Sequence, residues 1–131
     1  MIKEVTDFIA DKAGLTRDTD IFAGHRLSDT IDTCDVVLET TGGEVFFDLP
    51  ERADVVFQVL SRAMTYMIAR ARAWAIYDTI FRDHIYGSAG WPLGAYEAMI
   101  IDPLAPPQYI GQDEKARFEF SCNYIFKLKK L

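Results

Sequence analysis

The longest uninterrupted helical pattern runs from Arg62 to Asp83. It holds neither Gly nor Pro, it is rich in Ala, and its apolar residues recur at helical spacing. At about 100° per residue, Tyr66, Ala69, Ala73, Ile76, Tyr77 and Ile80 share one face, which Met67, Trp74 and Phe81 widen along one edge. A face this broad requires cover, most simply a β-sheet, and burying its large side chains contributes roughly 10 kcal/mol before entropy is subtracted. Met64, Ile68, Ala71 and Ala75 form a second, narrower stripe, set off by Arg72 and Thr79 on one side and by Asp78 and Arg82 on the other. Exposed small residues need no partner to explain them. Two apolar faces on one helix also predict self-association, and Met64, Ile68, Ala71, Arg72 and Ala75 are the candidate subunit contact.

Elsewhere the period is two. Phe118, Phe120, Cys122, Tyr124, Phe126 and Leu128 alternate with Glu119, Ser121, Asn123 and Lys127, and only Ile125 breaks the polar side. That predicts a long strand with one core face. Residues 96–102 read as a strand closed by Pro103. In residues 34–49, Val36 to Leu38 lead into a Gly42-Gly43 turn and Val45 to Leu49 lead away, which predicts a hairpin ended by Pro50. Residues 51–61 fit a helical stripe or an alternating strand. Their β-branched content, and the excessive length of a helix from 51 to 83, favour a strand at 54–61 feeding the long helix. Residues 2–13 predict a short amphipathic helix, with Ile2, Val5, Ile9 and Ala13 inward and Gly14 as its stop, and 21–27 a short strand. Two irregular stretches remain as loops: 85–96, with Trp91, Pro92 and Leu93, and 103–115, stiffened by Pro103, Pro106 and Pro107 ahead of Tyr109.

The length of 131 residues predicts one domain with a core that needs no disulfide or metal. Nine Phe, six Tyr and two Trp favour a sheet-containing core over a helical bundle. The net charge of −6 argues against a general nucleic-acid binder, because such binding rests on clustered Lys and Arg. The one basic cluster, Lys127, Lys129 and Lys130, reads as an edge-strand or tail feature. Cys34 and Cys122 lie in apolar, strand-like runs and read as small buried hydrophobes. Acidic residues interrupt the N-terminal apolar pattern and no run is long enough to span a bilayer, so a soluble, cytoplasmically made chain is expected.

Candidate chemistry is sparse. His25 and His84 lack metal-ligand spacing; the first reads as a hydrogen-bonded structural residue, the second as a cation suited to a helix C-terminus. Pairing Cys34 with either histidine as a nucleophile has no local signature behind it. Glu39, Glu44 and Asp48 crowd the predicted hairpin, but no Lys or Arg lies between Arg26 and Arg52 to hold phosphate, so they read as solvated acids. The GSAG run at 87–90 follows a helix instead of opening one. No enzyme activity, cofactor or metal site is expected.

Two stretches resemble the tail terminator or minor capsid proteins of long-tailed bacteriophages. In VLSRAMTYMIARARAWAIYDTIF, Arg62 leads into a helix patterned by Tyr66, Ala69, Ala73 and Ile76-Tyr77 as in that family. In PPQYIGQDEKARFEFSCNYIF, Pro107, Gly111, Asp113-Glu114, Arg117 and Asn123-Tyr124 follow its closing pattern. The resemblance implies an α+β fold, an antiparallel β-sheet with a long helix and a short N-terminal helix packed on one face. It also implies a hexameric ring, part of the virion at the head–tail interface, that caps the tail tube and meets the head completion or connector protein. Trp91, Pro92, Leu93, Pro106, Pro107 and Tyr109 are then the candidate tube and connector contacts, and DNA passes through without specific binding. The alternatives are another head–tail joining protein of the same virion and a small-ligand-binding α+β domain.

Overall fold

A computed structural model of the chain describes residues 2–24, 32–40, 52–86, 91–93 and 95–130. In chain order the elements are α1 (Ile2–Ala13), β1 (Ile21–Ala23), β2 (Cys34–Glu39), β3 (Arg52–Ala63), α2 (Tyr66–Tyr86), β4 (Trp91–Leu93), β5 (Tyr96–Pro103), β6 (Gln108–Gln112) and β7 (Phe118–Lys130). The strands form one sheet in the order β1-β2-β3-β7-β5-β4, with β6 also on β7. This is the α+β class expected, with one difference. β1 runs parallel to β2, so the sheet is mixed, while the other described pairings between named strands are antiparallel.

β7 organises the sheet. β3 pairs along one side of it from Ala63↔Phe118 to Arg52↔Lys129. On its other side β5 takes Tyr124 to Lys130 and β6 takes Phe118 to Ser121. The two-residue period turns Phe120, Cys122, Tyr124, Phe126 and Leu128 toward the helices, where all five are buried. Phe57 and Val59 of β3 join them, and the Phe57 and Phe126 rings meet edge to face with centroids 5.2 Å apart. Ile76 and Ile80 of α2 and Val5 and Ile9 of α1 close the same cluster, so both helices cover one face of the sheet. A smaller cluster of Ala63, Ala69, Ala73 and Phe120 seats the start of α2. Lys127, Lys129 and Lys130 therefore lie on a central strand, not at an edge or in a tail.

The long helix starts later than its pattern suggests. Arg62 and Ala63 pair with Glu119 and Phe118 as the end of β3, and Met64-Thr65 make the bend. Thr65 then caps α2: its carbonyl accepts from Ala69 N–H at 3.1 Å and its hydroxyl from Ile68 N–H at 3.3 Å. Met67, placed by helical projection on the edge of the core face, is 66% exposed. Both presumed loops contain strand. Trp91–Leu93 pairs with β5, and Gln108–Gln112 pairs with β7 around a bulge between Tyr109 and Gly111, where Gly111 takes φ +120°. β2 finds its antiparallel partner in β3, with Cys34 opposite Arg62. The predicted Gly42-Gly43 turn and the strand from Val45 to Leu49 lie outside the described residues, as do His25, Glu44 and Asp48.

Candidate functional site

An apolar groove of about 420 Å³ opens beside α2. Ala13 and Leu15, at and just after the end of α1, line one side of it. Met67, Ile68, Ala71 and Ala75 of α2 line the other, and Asp35, Arg72 and Ile76 complete the wall. The sequence sets this up simply. Helical spacing turns Ile68, Ala71 and Ala75 away from the sheet, and two alanines leave space where larger side chains would fill it. Ile68 is 49% exposed, a large apolar side chain with no cover. Met64 is half exposed, but it lies in the bend before the helix. The expected stripe is therefore Ile68, Ala71 and Ala75, with Met67 in place of Met64.

A buried ion pair backs the groove. Asp35 alternates with Val37 onto the helix-facing side of β2 and is fully enclosed. Arg72 Nη2 donates to its Oδ2 at 2.6 Å and to the Asp20 carbonyl at 3.4 Å. Burial holds the Asp35 carboxyl above its usual range, against the pull of the Arg72 charge and of the Arg72 hydrogen bond. Arg72, expected as part of a subunit contact, thus turns inward to a carboxylate. Asp35 escaped the sequence reading. The available signal was an acid in phase with the core positions of a strand.

A second surface lies past β7. Tyr109 is 46% and Ile110 52% exposed on β6, and Leu104, just before it, is 55% exposed. One side of the Tyr109 ring is held by Tyr66 at 5.4 Å and Phe120 at 5.6 Å between centroids. Of the other predicted contact residues, Pro106 is exposed, Pro107 and Leu93 are buried, and Trp91 and Pro92 belong to β4. Burial leaves Leu93 and Pro107 little surface to offer a partner.

The turn from β6 into β7 is pinned by a second acid–base pair. Asp113 Oδ1 accepts from the N–H groups of Lys115 at 3.0 Å and Arg117 at 2.9 Å, and its Oδ2 accepts from Arg117 Nε at 2.7 Å. Arg117 is almost fully enclosed and also reaches Asp32, at 3.5 Å. Arg62 Nη1 stands 3.9 Å from Asp113. The Gly, Asp-Glu, Arg spacing is therefore a structural motif: Gly111 relieves the bulge and Asp113 ties down Arg117.

Cys34 and Cys122 are free and buried, and burial pushes both thiols up, away from the reactive thiolate. Cys122 Sγ donates to the Ala105 carbonyl at 3.2 Å. Among the described residues no three His, Cys, Asp or Glu side chains gather around a point where a metal ion would sit. Among the same residues no helix is long and apolar enough to cross a membrane.

An α+β chain of this kind, with apolar side chains left open on two surfaces, has the features of a structural assembly protein. The model of the bacteriophage tail terminator protein family matches residues 9–130, and the chain belongs to that family. It is a structural component of the bacteriophage virion with a tail-terminating role. Comparison with curated proteins gives no match.

Proposed function

We propose that the chain, acting as one domain over residues 1–131, assembles into a hexameric ring that caps the tail tube and meets the head completion or connector protein. The observation that carries this reading is the groove along Ile68, Ala71 and Ala75, an apolar surface that the protein's own core does not use. Ring contacts join unlike patches of neighbouring subunits, and small side chains allow close approach. Trp91, Pro92, Pro106 and Tyr109 are the residues we assign to tube and connector contacts. The role is structural and involves no catalysis. The net charge of −6 suits a passage that lets DNA through without gripping it.

Light scattering of the purified chain, followed by electron microscopy, tests the reading. Closed rings are expected, and Ile68→Glu should dissociate them while leaving the helix content unchanged. A chain that stays monomeric even when tail tube is supplied would sink the ring. A small apolar ligand in the groove is the second reading, favoured by a volume of about 420 Å³ that falls within the range of ligand pockets. Particle mass separates the two, because only the ring changes it. A neighbouring head–tail joining position is distinguished by whether the rings bind tube ends.

A further inference from the structure

We propose that the groove beside α2 binds a small molecule made of an aliphatic chain and a primary amide head, with the head seated on Asp35 and Arg72. This site rests on the ligand reading of the groove given above and names the class of ligand.

The walls select the chain. Met67, Ile68, Ala71 and Ala75 of α2 stand across the groove from Ala13 and Leu15. None of the described residues that line it is aromatic. A slender, flexible chain therefore suits it better than a flat ring, which gains from stacking on aromatic faces. From Ile68 to Ala75 the helix advances about 10 Å, the reach of a mid-length alkyl chain. Ala71 and Ala75 are exposed, and their short side chains leave the room that such a chain takes.

The polar end selects the head. Asp35 and Arg72 are the charged residues in a wall that is otherwise apolar. Their ion pair uses Asp35 Oδ2 and Arg72 Nη2. It leaves Asp35 Oδ1 and Arg72 Nε with no hydrogen-bond partner among the described residues, although the Asp35 side chain is only 1% exposed. Ser61, opposite Asp35 in the β2–β3 ladder, adds a third unbonded polar atom beside the pair. Buried groups left unmet in this way are costly, and a ligand that meets them gains the difference. One free acceptor and one free donor call for a head that both gives and takes. A primary amide donates N–H to Asp35 Oδ1 while its carbonyl accepts from Arg72 Nε–H. The ion pair is neutral as a whole, so a carboxylate or ammonium head would bring in a charge without a counter-charge. The Arg72 side chain is 21% exposed, and its long stem can lean outward to admit the head.

The test titrates the full chain with octanamide by calorimetry, at a concentration where light scattering reads a monomer, so that no neighbour fills the groove. N,N-dimethyloctanamide, which accepts but cannot donate, and octanoate, which carries a charge, are the comparisons. Octanamide is expected to bind about tenfold more tightly than either. Ala71→Leu, at an exposed position, should abolish binding with the melting temperature unchanged. Asp35→Leu combined with Arg72→Met, a pair of changes expected to keep the fold, should bind octanamide and its dimethyl form equally. Equal binding by the parent chain would overturn the amide head and leave an apolar ligand site standing. A preference that survives in the double variant reports ligand size and overturns the head as well. Absence of binding by all three compounds, or full binding by Ala71→Leu, would remove the ligand reading with it. Rings that form in the parent and fail in the double variant, with no octanamide bound, would give the polar end to a partner's side chain and overturn the small molecule.

Discussion

Arg72 donates to Asp35 at 2.6 Å and Arg117 to Asp113 at 2.7 Å, yet the two carboxyls are driven in opposite directions. Burial pushes both up. At Asp35 burial prevails over Arg72, and the proton is held more tightly than in the unfolded chain. At Asp113 burial is outweighed by the Arg117 N–H, the Arg117 guanidinium and the Lys115 N–H, and the carboxyl ends below its usual range. An opposite charge alone does not settle the matter. The number of donors delivered by the local backbone does, and a tight turn delivers donors that a strand facing a helix does not.

The sharpest way to break this comparison is Arg117→Ala. It removes an enclosed cation and strands the Asp113 carboxylate, so a loss of about 3 kcal/mol is expected in urea unfolding. A loss near zero would mean that the backbone closes the turn unaided. Arg72→Met should cost less, about 2 kcal/mol, because Asp35 is already inclined to take up a proton when its partner goes. Adding Asp35→Leu should then return stability to within about 1 kcal/mol of the parent, since the strand keeps its ladder. The matching pair, Asp113→Leu with Arg117→Met, should not recover, because the N–H groups of Lys115 and Arg117 lose their acceptor.

Acid titration sharpens the contrast at smaller scale. Asp113, with its folded pKa depressed, contributes stability that is present above the unfolded value of 3.8 and lost as pH falls through the folded pKa. Asp35, with its folded pKa raised, contributes stability that is full below 3.8 and lost as pH rises through the folded pKa. Thermal melts from acid to neutral pH should therefore lose part of their acid limb in Asp113→Asn, while Asp35→Asn should remove a decline on the neutral side. Similar curves for both variants would erase the distinction. The smallest effect belongs to Ala116, held at φ +60° in the same turn. Ala116→Gly should gain about 0.5 kcal/mol in the same melts, since glycine takes that conformation without strain.

Much of the fold is legible where one face of an element meets generic cover. The alternation of β7, the inward face of α1, and Ala69, Ala73, Ile76 and Ile80 of α2 all predict burial without knowledge of the partner. Sequence reasoning fails where the partner decides. Arg62 and Ala63 fit a helix by local pattern, but pairing with Glu119 and Phe118 draws them into β3. β4 and β6 are too short to show a period, and Trp91 to Leu93 and Gln108 to Gln112 become strands only because β5 and β7 offer an edge. In the groove, Ile68, Ala71 and Ala75 were readable as an uncovered stripe. The inward turn of Arg72 was not, because its partner Asp35 is 37 positions away and local spacing carries no trace of it.

The strand that joins both halves of the sheet also comes after every other described strand in chain order. β1, β2 and β3 precede α2, while β4, β5 and β6 follow it, and the two groups share no edge until β7 enters between them. Until then β3 presents one bare side of twelve residues, three of them Val, to anything nearby. A bare strand edge of that kind favours aggregation, and long-range pairing such as that of β3 with β7 slows folding. β7 also carries β6 into place, so the exposed Tyr109 and Ile110 are set in position only once the sheet is closed.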